Sequence, residues 1–134
     1  MISTVDITIR STTDKVWNYW TKPKHITKWN FASEKWSCPS AINNLRPGGE
    51  FIWRMVAKDG SMGFDFTGTY EQIEKSISYK MTDGRKVIIN FNTEGDTIKL
   101  TESFDTDGTN STEQERAGWQ AILENFKNYV ESKE

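Results

Sequence analysis

Glu102 is the residue whose type and position most clearly suggest chemistry. The segment around it alternates between apolar and polar side chains, which places Glu102 on the same face as Leu100 and Phe104. Burial raises the pKa of a carboxyl group that has no ionic partner, so Glu102 could hydrogen-bond a ligand or serve as a general acid or base. The alternatives are a salt bridge with Arg54 or Arg116, or exposure near the end of the strand.

Few other side chains could bind a metal or attack a substrate. His25 is the only histidine, and its lysine-rich surroundings are typical of a solvated surface residue. Cys38 is the only cysteine, which excludes an internal disulfide and a multi-cysteine zinc site, and we expect a packed, reduced thiol. The Pro47-Gly48-Gly49 turn leads into a strand rather than a helix, unlike a phosphate-binding loop. The sequence therefore predicts no metal and no cofactor.

Aromatic side chains are unusually frequent, with 6 Trp, 7 Phe and 4 Tyr. So many rings suggest either a bulky core or a pocket walled by rings. Gly68 lies among them and could make room for a ligand or mark a strand bend. Alternation and helical spacing select an inward-facing set that we predict to line a ligand-binding pocket, with simple core filling as the alternative. The set is Trp36, Phe51, Trp53, Met55, Phe66, Tyr70, Tyr79, Met81, Ile89, Phe91, Leu100, Glu102, Trp119, Leu123 and Phe126.

A meander of short strands is predicted to position these residues. Alternating segments occupy residues 3–10, 51–56, 64–71, 77–81, 86–91 and 98–104. Glycine-containing turns separate most of them, and Asp83-Gly84 is a two-residue hairpin signal. The pattern predicts a curved, six-stranded antiparallel sheet with one covered face, and residues 30–44 are predicted to form a loop.

Three helices complete the predicted α+β fold. A cap within residues 11–14 begins the first helix, and a second short helix runs from Pro23 to about Trp29. Near the C-terminus, Ser111-Thr112-Glu113-Gln114 is a capping box, followed by an apolar stripe from Trp119 to Val130. A helix of about 22 residues is roughly 33 Å long, which suits the concave face of a twisted sheet.

Composition and charge narrow the possible functions. The net charge of -2 is spread along the chain without a basic stripe, so nucleic-acid binding is not expected. No apolar run approaches the roughly 20 residues that span a bilayer, and the first residues lack the pattern of a signal peptide. Together with the single cysteine, these features favour a cytoplasmic protein that forms one domain over residues 1–134.

The first predicted helix raises the possibility of a homodimer. Trp17, Tyr19 and Trp20 are too close in sequence for all three to be expected to face inward. Rings left exposed on this helix would form a patch for a second copy of the chain.

The order of elements resembles the START-like (SRPBCC) superfamily, and more closely the heat-shock-protein ATPase activator-like family. The matching residues are Val16-Trp17 with Trp29, then LRPGGEF at 45–51, FTGTY at 66–70 and GWQAIL at 118–123. The strings at 29–33, 36–39 and 63–66 are similar to one bacterial subgroup, in which position 37 is usually His where this chain has Ser37. The resemblance implies a helix-grip fold, with two short helices after the first strand and a cavity between the sheet and the C-terminal helix.

Three functions are compatible with this reading. The leading hypothesis is binding of a small hydrophobic or amphipathic molecule in the cavity. The second, suggested by the resemblance alone, is a stress-response or co-chaperone-like interaction, although 134 residues leave no room for a separate chaperone-docking domain and a chaperone partner is not expected. The third is a cyclase- or hydrolase-like enzyme using Glu102 with Tyr70 or Tyr79 as acid and base. Catalysis is the less expected because no nucleophile–base pair is recognisable.

Overall fold

The computed structural model describes residues 2–74, 76–106 and 111–133. Its strands are β1 (Ile2–Arg10), β2 (Trp36–Asn43), β3 (Glu50–Ala57), β4 (Gly63–Ile73), β5 (Ser76–Met81), β6 (Lys86–Glu94) and β7 (Thr97–Asp105). Its helices are α1 (Thr13–Thr21), α2 (Pro23–Trp29) and α3 (Thr112–Ser132). The strands form one antiparallel sheet in the order β1-β7-β6-β5-β4-β3-β2, curled around α3 as in the helix-grip fold.

β2 corrects both the predicted loop over residues 30–44 and the predicted count of six strands. It pairs with β3 at the edge of the sheet, and its register shifts between Ser37 and Ser40. Pro39 lies within this irregularity. Because β2 is an edge strand, the absence of an N–H on proline does not interrupt the hydrogen bonds of the sheet interior. The bulge also breaks the period-two pattern, so alternation could not identify the strand.

The predicted alternation places the core on one face of the sheet. In β7, Ile98, Leu100, Glu102 and Phe104 are buried, whereas the residues between them are partly exposed. The second half of α3 covers this face with Leu123, Phe126 and Val130, all fully buried. These contacts fix the second half of α3 over the sheet. The first half is held beside β1, where the Gln120 side chain donates to the Asp6 carbonyl oxygen at 2.9 Å, and it also forms part of a cavity wall.

Hydrogen-bonded caps begin α1 and α3. The Thr12 hydroxyl accepts a hydrogen bond from the Lys15 amide at 3.4 Å. At α3, the Gln114 amide donates to the Ser111 hydroxyl at 3.1 Å, and the Ser111 amide donates to the Gln114 side chain at 3.2 Å. The capping box predicted from the sequence is therefore complete.

The aromatic side chains of α1 do not form the exposed patch that suggested a dimer. Trp20 stacks on Trp29 with ring centroids 4.7 Å apart. Trp17 packs against Phe91 of the sheet, and Tyr19 packs against Tyr129 of α3. All three rings are accommodated because α1 lies among the sheet, α2 and α3, so several of its faces have partners.

Gly68 has a packing role that neither sequence-based interpretation anticipated. The Phe51 ring lies over this glycine, and a Cβ atom built there would be 2.7 Å from the ring and 2.6 Å from the Lys80 carbonyl oxygen. The space above Gly68 is therefore filled by Phe51 and not by a ligand.

Candidate functional site

A cavity of about 570 Å³ lies between the first half of α3 and the inner face of the sheet. The loop after α2 and the hairpin between β5 and β6 complete its rim. Its lining residues are Trp20, Trp29, Asn30, Ala32, Trp36, Trp53, Met55, Phe64, Asp65, Phe66, Thr67, Tyr79, Met81, Thr82, Asp83, Arg85, Glu102, Gln114, Glu115, Gly118, Trp119 and Ile122. The wall thus combines a large aromatic surface with a few polar groups.

Eight of the fifteen residues predicted to line a pocket are brought together in this wall. They are Trp36, Trp53, Met55, Phe66, Tyr79, Met81, Glu102 and Trp119. The other seven lie outside the cavity wall and pack in or against the core: Phe51, Tyr70, Ile89, Phe91, Leu100, Leu123 and Phe126. Alternation identifies which face of a strand points inward, but it does not say which part of that face borders a cavity and which part packs in the core.

Phe51 and Tyr70 point inward but do not line the cavity, because neighbouring side chains already surround them. The Phe51 ring stacks on Trp53 with centroids 4.1 Å apart, and it also contacts Tyr70 and Tyr79. The Tyr70 hydroxyl donates a hydrogen bond to Asn43 of β2, so its polar group already has a partner. This cluster forms a floor beneath one side of the cavity.

Several lining residues were not predicted from the sequence. Trp20 and Trp29 lie on helices that reach the cavity from its side, and Gly118 leaves open space on α3 where a Cβ atom would meet no heavy atom within 4 Å. Gln114, Gly118 and Ile122 are spaced by four residues, so they form one line along the helix face above the cavity. That spacing is visible in the sequence and could have placed the helical part of the wall.

Glu102 is the most deeply buried carboxyl group of the cavity wall, with 3% of its surface exposed. Val5 lies opposite it on β1 and Ile89 opposite it on β6, so its neighbours in the ladder are aliphatic. Among the described residues, no hydrogen bond or ion pair reaches its carboxyl group. Burial raises the pKa of Glu102 to about 8, so the neutral acid predominates at neutral pH.

The arginines suggested as partners of Glu102 have other partners. Arg54 forms an ion pair with Asp65 at 3.4 Å, and the Arg116 guanidinium donates to the Thr4 carbonyl oxygen at 3.3 Å. The sequence-based alternative of an Arg54 or Arg116 salt bridge is therefore wrong, as is exposure at the strand end. The inward position predicted from alternation is confirmed.

Two further polar groups of the wall have no hydrogen-bond partner among the described residues. Trp53 Nε1 is also inaccessible to solvent, and it is the one fully inaccessible side-chain nitrogen or oxygen found without a partner. The Tyr79 side chain is 3% exposed and lines the cavity, and no hydrogen bond to its hydroxyl is found. Burial raises the pKa of Tyr79 well above its ordinary value, and the nearby charge of Glu102 raises it further.

Charged side chains lie at the rim, between the β5–β6 hairpin and the start of α3. Arg85 forms an ion pair with Asp83 at 2.8 Å and approaches the Glu115 carboxylate at 3.7 Å. Glu115 is buried although it lies in the first turn of α3. The pair joins the hairpin to the helix beside the cavity.

The remaining candidates lie away from the cavity. His25 is half-buried, and its Nδ1 is 2.6 Å from the Tyr129 hydroxyl, so it is tied to α3 more closely than a solvated surface residue would be. Burial, followed by Lys24, Lys133 and Lys22, lowers the pKa of His25. Cys38 is the packed thiol that was expected, and burial raises its pKa to about 11. Within the described ranges, no cluster of three or more potential ligands could hold a metal ion.

Membrane insertion through a helix is not supported by the part of the chain that the structure describes, since none of its helices combines the length and apolarity that spanning a bilayer requires.

Solved structures share this fold over nearly the whole chain. An AHSA1-like protein from Aeromonas hydrophila is 40% identical, with 99% of this chain and 94% of that chain covered and a TM-score of 0.93. A protein from Cytophaga hutchinsonii is 49% identical, with coverages of 97% and 92% and a TM-score of 0.85. A Nitrosomonas europaea protein at 18% identity has a TM-score of 0.86 over 99% and 96% of the two chains, which shows the fold alone.

A comparison with curated proteins gives no match. The family model described as "Activator of Hsp90 ATPase homolog 1-like protein" matches residues 10–131. With its strand order, gripped helix and matched residues taken together, this chain belongs to the Activator of Hsp90 ATPase homolog 1-like family.

Proposed function

We propose that this chain binds a small hydrophobic or amphipathic molecule in the cavity between α3 and the sheet. The observation that carries the proposal is the wall itself, in which aromatic and other apolar side chains surround Glu102 and Tyr79, whose polar groups have no hydrogen-bond partner within the described residues. The volume of about 570 Å³ falls within the range of roughly 300–1,000 Å³ that small-molecule sites occupy.

The aromatic wall supports an apolar ligand on energetic grounds. Trp53 and Phe66 stack with ring planes 16° apart, and Trp119 stacks on Phe104 at 12°. Rings held by stacking are already ordered, so a ligand that contacts them gains dispersion contacts without ordering the wall. Met55 and Met81 add flexible side chains that adapt to the outline of a bound molecule.

Ligand-induced stabilisation tests the proposal directly. The purified chain is screened by thermal unfolding against uncharged aromatic compounds and medium-chain lipids. A compound present at about one hundred times its Kd should stabilise the fold by about 2.7 kcal/mol, which raises the Tm of a chain this size by several degrees. The proposal fails if no compound in the panel raises the Tm.

Gly118 provides a variant that separates binding in this cavity from binding elsewhere. Gly118→Phe places a ring in the open space that the glycine leaves on the cavity side of α3. We expect this variant to fold and to lose the ligand-induced rise in Tm, whereas Gly118→Ala keeps it. A ligand that stabilises Gly118→Phe as strongly as the parent chain binds outside the cavity.

A further inference from the structure

We propose that the ligand is an organic cation, an apolar body that carries one ammonium group, and that Glu102 is the counter-ion of this group inside the cavity. The inference rests on the proposed function and narrows it to one chemical class of ligand. Three features of the wall carry it: the position of Glu102, an excess of acidic groups and a high density of tryptophan rings.

The Glu102 carboxyl group opens onto the cavity. Its side chain lines the cavity, and no hydrogen bond or ion pair reaches it among the described residues. Trp53 Nε1 is the one side-chain nitrogen or oxygen found both unpartnered and inaccessible, so the unpartnered Glu102 oxygens are not sealed in this way. The small surface that the residue keeps, 3% of its total, therefore includes these oxygens and belongs to the cavity wall. A ligand in the cavity can reach them.

Acidic groups outnumber basic groups around the cavity. Apart from the buried carboxyl group, the charged side chains of the described wall are Asp65, Asp83, Arg85 and Glu115. Asp65 is paired with Arg54, whereas Arg85 is shared by Asp83 at 2.8 Å and Glu115 at 3.7 Å. These groups therefore hold one carboxylate more than they hold cations, even before Glu102 ionises. A cleft with low-dielectric walls focuses such an imbalance, which attracts a cation and opposes an anion.

Tryptophan rings form the largest apolar surfaces of the wall. Five of the six tryptophans of the chain line the cavity: Trp20, Trp29, Trp36, Trp53 and Trp119. The face of an aromatic ring attracts a cation, tryptophan does so most strongly, and quaternary ammonium groups are recognised in this way. Trp119 brings one such ring into the neighbourhood of the carboxyl group, because it stacks on Phe104, which is two residues from Glu102 on the inner face of β7.

A cation is also the class of ligand that changes the charge of Glu102. In the empty cavity the carboxyl group keeps its proton at neutral pH, because burial raises its pKa to about 8. A bound ammonium group would take the place of this proton and pair with the carboxylate in the same water-poor surroundings. A neutral ligand requires no such exchange, and an anion would oppose it. Binding of a cation should therefore release a proton from Glu102.

Three naphthalenes that differ in one charged group test the inference. (2-Naphthylmethyl)trimethylammonium is a permanent cation, 2-neopentylnaphthalene has carbon in place of its nitrogen and is neutral, and 2-naphthylmethanesulfonate is an anion. Their affinities for the whole chain are measured by titration at pH 9, where Glu102 is mostly ionised. We expect the cation to bind about tenfold more tightly than its neutral isostere, which still binds through its rings, and the anion to bind most weakly.

The Glu102→Gln variant tests the identity of the counter-ion. From pH 7 to pH 9, the affinity of the parent chain for the cation should rise about tenfold as Glu102 ionises. In Glu102→Gln the affinity for the cation should not change with pH, and the preference for the cation over its isostere should shrink towards one. Glu124→Gln is the matched control, because it removes one negative charge at an exposed position of α3 and should behave like the parent chain.

Other titratable groups are controlled by the same variant. The neighbouring strands β1 and β6 place aliphatic side chains directly opposite Glu102. The other titratable or charged groups that face the cavity are Asp65 of β4, Tyr79 of β5, Asp83 and Arg85 of the β5–β6 hairpin and Glu115 of α3. All of them remain in Glu102→Gln, so a pH dependence that survives there would contradict the assignment. Calorimetry at pH 7 in buffers of different ionisation enthalpy gives a second readout, with release of close to one proton expected from the parent chain and none from Glu102→Gln.

Three results would overturn the inference while leaving the proposed function standing. They are equal affinity for the cation and its neutral isostere, tightest binding of the sulfonate, and a preference for the cation that persists in Glu102→Gln. Failure of all three probes to bind would overturn the inference as well. The proposed function falls with it only if the panel of compounds also never raises the Tm.

Discussion

Glu102 lies directly opposite Ile89 across the β6–β7 ladder, so a carboxyl group shares the inner face of the sheet with an aliphatic side chain. Val5 occupies the equivalent place on its other side. A carboxyl group in such a row has lost its hydration without gaining an ionic partner among the described residues. The effect of this buried carboxyl group on the free energy of unfolding can be measured without a ligand.

We expect Glu102 to make the fold less stable as the pH rises. Its pKa is about 8 in the folded chain, against an ordinary value of 4.5, so between these values the folded chain keeps a proton that the unfolded chain has lost. The free energy of unfolding should therefore fall by on the order of 1.4 kcal/mol per pH unit in that interval, and stay level above it. Urea unfolding at several pH values, compared with Glu102→Gln, measures this contribution.

Glu102→Gln keeps the shape of the side chain and removes only its titration. The difference in stability between the two chains should grow from acid to neutral pH, while all other titrating groups cancel. Parallel curves for the two chains would show that Glu102 is ionised or paired in the folded state.

Two glycines should respond to the same substitution in opposite directions. In Gly68→Ala, the new methyl group would be 2.7 Å from the Phe51 ring and 2.6 Å from the Lys80 carbonyl oxygen, so the fold should lose about 1–3 kcal/mol. In Gly118→Ala, the methyl group meets no atom within 4 Å, and the better helix propensity of alanine should add about 0.5–1 kcal/mol. Chemical denaturation of both variants measures the two effects.

Each glycine variant serves as the control for the other, because both add a single methyl group. A Gly68→Ala chain as stable as the parent would mean that the Phe51 ring can move aside and that its position does not depend on the glycine.

Cys38 should not react with thiol reagents while the chain is folded. Its side chain is 1% exposed, and burial raises its pKa to about 11, so very little thiolate forms near neutral pH. Ellman's reagent at pH 8 should therefore modify the native chain only at the rate of unfolding, and modify the chain in guanidinium chloride at once. Rapid modification of the native chain would contradict the packed position of this thiol.

The elements of the fold were predictable because local rules determine them. Alternation marked the inner face of β7, Pro23 marked the start of α2, and Ser111 with Gln114 marked the start of α3. β2 was not predicted, because Pro39 and the adjacent bulge interrupt the alternation by which a strand is recognised. An edge strand of this kind depends on pairing with β3, which a local pattern does not report.

The candidate site was only partly predictable, because its position depends on packing between distant elements. The buried position of Glu102 could be predicted from strand alternation alone, because the face of the sheet on which a side chain lies decides whether it is buried. Leu123 and Phe126 were expected in the pocket but pack in the core at the second half of α3, whereas the cavity borders residues 114–122 of its first half. The helix sequence does not say which part of its inward face packs on the core and which part borders the cavity.

The cap of α3 should connect folding to the cavity. The Ser111 hydroxyl accepts a hydrogen bond from the Gln114 amide, and the same first turns carry Gln114, Glu115 and Gly118 of the cavity wall. Ser111→Ala should lower the stability by about 0.5–2 kcal/mol, whereas Ser111→Asp, which can also cap a helix, should lose much less. Ser111→Ala should also weaken ligand binding by more than its loss of folding stability accounts for, because fraying of the first turn removes part of the cavity wall.

Thermal unfolding and ligand titration of the three chains separate these contributions. If Ser111→Ala lowers the Tm but binds a compound that stabilises the parent chain as tightly as the parent does, at a temperature where both are folded, the first turn of α3 does not shape the site. If affinity falls in Ser111→Ala and is restored in Ser111→Asp, the helix start holds the cavity wall in place. The second result is expected, because Arg85 anchors Glu115 of this turn to the opposite rim.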